Sequence, residues 1–153
     1  MNKNHDHVFD DTFRTMEEHA PELMIPLINE VFHTTYPENA EISKQGDKHH
    51  LMLQTLETDS YLRIRDKAYH FECESNPGNG IIAIRMFQYD VTVAIEQKYR
   101  KDGVYIVEFP SSCVIYLRHN SNTKDEELVV IRMPDGRELD YRVPVIKSQF
   151  LPK

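Results

Sequence analysis

The stretch "TDSYLRIRDKAYHFECES", Thr58 to Ser75, constrains this chain more than any other. Its alternation predicts two short strands joined by a tight turn, because side chains on a strand point to opposite faces in turn. A two-residue turn at Asp66 and Lys67 pairs Ile64 with Tyr69, Leu62 with Phe71, Tyr61 with Glu72 and Asp59 with Glu74. One face then holds Leu56, Leu62, Ile64, Tyr69, Phe71 and Cys73 and belongs in a core. The other holds Asp59, Tyr61, Arg63, His70, Glu72 and Glu74. Like charges facing each other across a hairpin are destabilising, and diagonal neighbours stand about 8 Å apart. Three acids on one face therefore need relief. Solvent screening, a nearby cation such as Arg63, or a hard divalent ion bound by the carboxylates would each provide it. Solvent is the plainest of the three.

The rest of the chain supplies cover for such a hairpin. Asp10 to His33 reads as helical, in two segments that meet at Pro21. Met24, Leu27, Ile28, Val31 and Phe32 recur at helical spacing in the second. Thr34 to His50 is polar, contains Pro37 and Gly46, and reads as a loop. After "NPGNG" a long helix is expected from Ile81 to about Arg100, with Ile84, Phe87, Val91, Ala94 and Ile95 inward and "KDG" as its stop. "VYIVEF" and the nearly all-apolar "SCVIYLRH" read as strands. "LVVIRM" and "ELDYRVPV" flank the turn "PDGR" and form a last hairpin. This order predicts a single α/β domain over residues 1–153, with a central mixed sheet flanked by helices.

Composition narrows the function. The net charge of −7 disfavours a protein that coats nucleic acid, though metal-binding carboxylates add negative charge that a bound cation cancels. No apolar run reaches membrane-spanning length, and "MNKNHDHVFDD" lacks the apolar core of a signal peptide, so the cytoplasm is the expected compartment. Cys73 and Cys113 have neither redox nor zinc spacing and read as buried free thiols. Ser111, Ser112 and Cys113 have no activating His or Asp placed beside them by the sequence, which argues against a nucleophile there.

The pattern Asp-x12-Glu-x-Glu, Asp59 to Glu74, on two adjacent strands followed by a helix, resembles the signature of the PD-(D/E)XK nuclease superfamily. The ordered segments "DDTFRTMEEHAPELMIPLINEVF", "TDSYLRI", "YHFECESNP", "AIRMFQYDVTVAIE", "CVIYLRHNSNT" and "YRVPVIK" resemble its bacterial recombination-promoting, transposase-type members over nearly the whole chain. The resemblance implies a restriction-endonuclease-like core in αβββαβ order, here with an extra C-terminal hairpin. It implies DNA as partner and Mg²⁺- or Mn²⁺-dependent phosphodiester cleavage, with Asp59, Glu72 and Glu74 as catalytic residues. Asp59 and Glu72 would hold the metal. Glu30 is a further candidate ligand, its plainer alternative being an exposed helix residue. Glu74 stands where the superfamily has Lys and this group often has Gln. Arg85 and Tyr89, four residues apart, stand where relatives carry a Gln-x-x-x-Tyr pair near the substrate. Their alternative is a surface Arg beside a half-buried Tyr. Arg14 and Arg118 are DNA contacts by sign alone. Such chains usually continue beyond the last hairpin, mostly as helix, so either a truncated copy or a form reduced to the nuclease core is expected, with a homodimer as a further arrangement. Two other readings stay open. One is a degenerate nuclease fold acting as a non-catalytic nucleic-acid or protein interaction module. The other is an α/β domain whose acidic face is merely solvated.

Overall fold

The computed structural model describes residue 15 and residues 18–44, 48–51, 54–57, 60–75, 77–78 and 80–148, without the side chains of 44, 48–51 and 54–57. A 3₁₀ turn at Pro21–Leu23 leads into α1 (Met24–Phe32), where Pro26 is harmless because first-turn N–H groups have no helical partner. His33 ends α1 in a left-handed conformation at φ 53°. The Asn29 side chain then ties the exit down, donating to the Tyr36 carbonyl and accepting from the Tyr36 N–H, each at 2.9 Å.

Three strands of the main sheet follow: β1 (Ile42–Lys44), β4 (Ser60–Ile64) and β5 (Lys67–Glu74). Between β1 and β4, β2 (Lys48–Leu51) and β3 (Gln54–Glu57) form a separate antiparallel pair. The expected loop from Thr34 to His50 thus contains β1 and part of β2. Of the expected first hairpin strand, the described residues Ser60–Ile64 form β4. The second helix, α2 (Ile81–Glu96), ends four residues earlier than expected. Tyr99–Lys101 (β6) and Val104–Ile106 (β7) then form a hairpin about Asp102 and Gly103. Both turn residues have positive φ, 51° and 79°, the conformation that two-residue hairpin loops favour. Strands β8 (Ser111–Tyr116), β9 (Glu126–Arg132) and β10 (Glu138–Lys147) complete the set.

The main sheet has six strands in the order β1-β4-β5-β8-β10-β9. Strand β5 runs parallel to β8, and β8 parallel to β10, while the other neighbours are antiparallel. The expected last hairpin is present and joins this sheet through β10. Helix α1 covers one face: Met24, Ile25 and Ile28 pack with Leu62, Ile64, Tyr69, Phe71, Cys73, Cys113 and Ile115. Helix α2 covers the other, where Ile82 and Met86 meet Val114, Tyr116, Tyr141 and Val143, and where Tyr89 and Val93 meet Tyr61. Both cysteines are buried and free, as the spacing predicts. Among the described residues no helix is long and apolar enough to cross a membrane.

The β4–β5 turn falls at Arg65 and Asp66, one residue earlier than expected, with Arg65 at φ 57°. Tyr61 therefore pairs with His70, and Leu62 with Tyr69. Among the described residues the pairs are displaced by two, which leaves the side chains of Tyr61 to Ile64 and Tyr69 to Phe71 on their expected faces.

Candidate functional site

The polar face of the β4–β5 hairpin is not solvated. Helix α2 lies across it, leaving His70 fully buried and Glu72 only 6 % exposed. Burial of this kind is tolerable only where charges are paired. The His70 imidazole lies between two carboxylates, with Nε2 2.8 Å from Glu72 Oε1 and Nδ1 2.8 Å from Asp90 Oδ1. A ring protonated on both nitrogens donates to both. Burial pushes the His70 pKa down, but hydrogen bonds and charge attraction from Asp90 and Glu72 outweigh it and lift it to about 9.

Asp90 is the hub. Besides His70, its second oxygen accepts a 2.5 Å bond from Ser112 Oγ and one from the Tyr141 hydroxyl. Burial and the Asp90 charge drive the Tyr141 pKa well up, so the phenol remains a donor. One carboxylate on α2 thus joins β5, β8 and β10. Sequence reasoning missed it, and the α2 stripe is turned in consequence. Ile84 and Ile95, expected inward, are exposed, whereas Ile82, Met86, Tyr89 and Val93 face the sheet. An Asp among inward apolar positions, with a His on the strand beneath, is the signal that finds this pair. Ser112 does have an Asp beside it, but its proton is committed to Asp90 and the group is buried. This keeps Ser112 structural.

At the outer end of the network Glu72 and Glu74 meet Arg85, on α2. Arg85 Nη2 is 2.5 Å from Glu74 Oε1 and 3.8 Å from Glu72 Oε2. The cation that relieves the acids is therefore not Arg63, which donates to Gln97 Oε1 and to the Asp66 carbonyl. Arg118 lies at the same end of the sheet, since its N–H bonds the Ser75 carbonyl just beyond Glu74.

Two expectations are corrected. Tyr89 does not reach the surface: it is 2 % exposed, and its ring packs on His70 with centroids 4.5 Å apart, so it braces the network instead of meeting a substrate. Glu30 is exposed on α1, the helix over the opposite face of the sheet, and does not join Glu72 and Glu74. Asp59 and Arg14 lie outside the described residues. Among the described residues no three His, Cys, Asp or Glu side chains converge as a metal-ligand set. Glu72 and Glu74 are two hard oxygen donors on the last residues of a central strand, a donor chemistry that fits Mg²⁺ or Mn²⁺.

The charged histidine makes stability depend on pH. Its folded pKa, about 9, lies above the free value of 6.5, so the contribution is fully present below pH 6.5 and is lost as pH rises through 9. The shift corresponds to about 3 kcal/mol. Urea unfolding of wild type and His70→Leu at pH 6, 7.5 and 9.5 tests this. Wild type should lose its advantage at the highest pH, and a constant difference would refute the charged ring. The variant also subtracts the alkaline effect of Cys113, whose thiol pKa burial pushes up to about 12.

Comparison with protein-family models, curated proteins and solved structures finds no match in any of the three.

Proposed function

We propose that the chain is a metal-dependent DNA endonuclease of mobile-element type, built on a restriction-endonuclease-like core. One observation carries the reading. Two carboxylates end β5, a central strand that runs parallel to β8, and the inner one is held from behind by His70, itself bonded to Asp90. In open α/β sheets, ligands bind outside the carboxyl ends of such strands. The main sheet also follows the order helix, three strands, helix, strand that the resemblance implies.

In this reading Glu72 and Glu74, with Asp59, hold Mg²⁺ or Mn²⁺. The ion, when bound, supplies Lewis-acid polarisation of the phosphate and an acidified water. His70 fixes Glu72 through its Oε1, and Asp90 holds the ring from the other nitrogen, so the Glu72 carboxylate is set in place before any ligand binds. Arg118 and Arg85 supply positive charge for the DNA backbone at the same end of the sheet. Glu74 accepts protons or binds metal, but does not stabilise developing negative charge as a Lys would.

The test is plasmid cleavage with Mg²⁺ or Mn²⁺, comparing wild type with Asp59→Ala and Glu72→Gln, each checked for folding by circular dichroism. Wild type should cut, and both variants should lose at least about a hundredfold in rate, the scale of a lost electrostatic contact in catalysis. A second reading, a non-catalytic interaction module on the same fold, is favoured by the ion pair that already occupies Glu74. Absence of cleavage and of calorimetric ion binding in wild type would select it.

A further inference from the structure

We propose that Arg85 is a displaceable internal counter-ion of the Glu72–Glu74 pair, which sets the affinity for a divalent cation and couples it to phosphate binding. The inference rests on the metal-dependent reading above. Its basis is that one guanidinium serves both acids, at 2.5 Å from Glu74 and 3.8 Å from Glu72. The two acids differ in what else holds them. Glu72 keeps its bond to His70 whether or not Arg85 is present. Glu74 is less deeply held: 30 % of its side chain is exposed, and it is ion-paired with Arg85.

The Arg85 side chain is 52 % exposed. It therefore leaves the pair by rotation about its own bonds, without opening the core, and exposed ion pairs are worth little against solvent. A divalent ion on the same carboxylates would be repelled by a guanidinium that stayed. Ion binding and Arg85 binding therefore compete. Once displaced, Arg85 is a half-exposed cation beside the site, and guanidinium pairs readily with phosphate oxygens. A phosphodiester that draws Arg85 away from Glu74 lowers the competition. By linkage, ion and nucleic acid then each strengthen the other's binding.

Isothermal calorimetry with Mn²⁺ tests this on wild type, Arg85→Gln and Glu72→Gln. Each is measured alone and with a short DNA oligonucleotide carrying a non-hydrolysable phosphorothioate backbone. Arg85→Gln should bind Mn²⁺ about tenfold more tightly than wild type in the absence of DNA, a change of about 1.4 kcal/mol. The oligonucleotide should tighten Mn²⁺ binding to wild type and leave Arg85→Gln nearly unchanged. Glu72→Gln should lose the ion. If wild type and Arg85→Gln bind Mn²⁺ within twofold of each other while Glu72→Gln does not, the counter-ion role is overturned and the metal reading stands. If neither wild type nor Arg85→Gln binds Mn²⁺, both are overturned.

Discussion

Replacing His70 with Leu should destabilise the protein by about 3–5 kcal/mol, the range for breaking a buried ion pair from one side. The ring is fully buried, and both of its nitrogens bond carboxylates. Leu has a similar bulk, so packing against Tyr89 and Tyr61 is largely kept. What is lost is the cation, which leaves two acids under α2 with nothing between them. The diagnostic is partial rescue. His70→Leu combined with Asp90→Asn removes one orphaned charge and should recover at least about 1 kcal/mol, because replacing both partners costs less than stranding one. Urea midpoints with an unchanged m-value give the comparison directly. A His70→Leu midpoint within about 1 kcal/mol of wild type would mean that the two carboxylates do not depend on the ring.

Phe71→Ala should cost a similar amount, about 3–5 kcal/mol, for an apolar reason. Phe71 is adjacent to His70 in sequence but points to the opposite face, where it is fully buried under α1. Its ring meets Phe32 edge-on at 5.9 Å. A central strand paired on both sides has little freedom to close the cavity left by a missing ring. Phe71→Leu, which keeps most of the volume, should lose less than half as much. For a chain of this size the Ala variant should melt about 10 °C lower, since each kcal/mol is worth about 2–4 °C. If Ala and Leu lose equally, Phe71 does not set the packing of that face.

These neighbouring residues show which parts of the molecule can be read from sequence. The two faces of the hairpin were legible because alternation alone assigns them. The register was not, since it depends on which residues take the turn. Arg65 does so in a left-handed conformation, with its guanidinium over the Tyr36 ring at 5.6 Å. No residue type at that position announces it. Helix α2 was legible in existence but rotated in prospect. A hydrophobic pattern counts Asp90 as outward, and only pairing with His70 turns it in. Strand β1 was hidden in a polar segment because its reason is tertiary: Ile42 pairs with Ile64 of the neighbouring β4. The Asp102–Gly103 hairpin carried the same Asp-Gly signal as the last turn, and was obscured by reading it as a helix stop. Of the candidate site, Glu72, Glu74 and Arg85 are brought together, while the histidine and aspartate behind them were not anticipated as a pair.

The convergence of three secondary-structure elements on Asp90 has an evolutionary consequence. Positions 70, 72, 90, 112 and 141 share one set of protons, so a change at one alters what the others can carry. A lineage that replaces Asp90 with an apolar residue strands His70 and the two hydroxyls. A lineage that replaces His70 first strands the acids. Substitution at these five places should therefore run in concert, as a quintet inherited or abandoned together, while surface positions such as Arg132 and Arg137 drift one at a time.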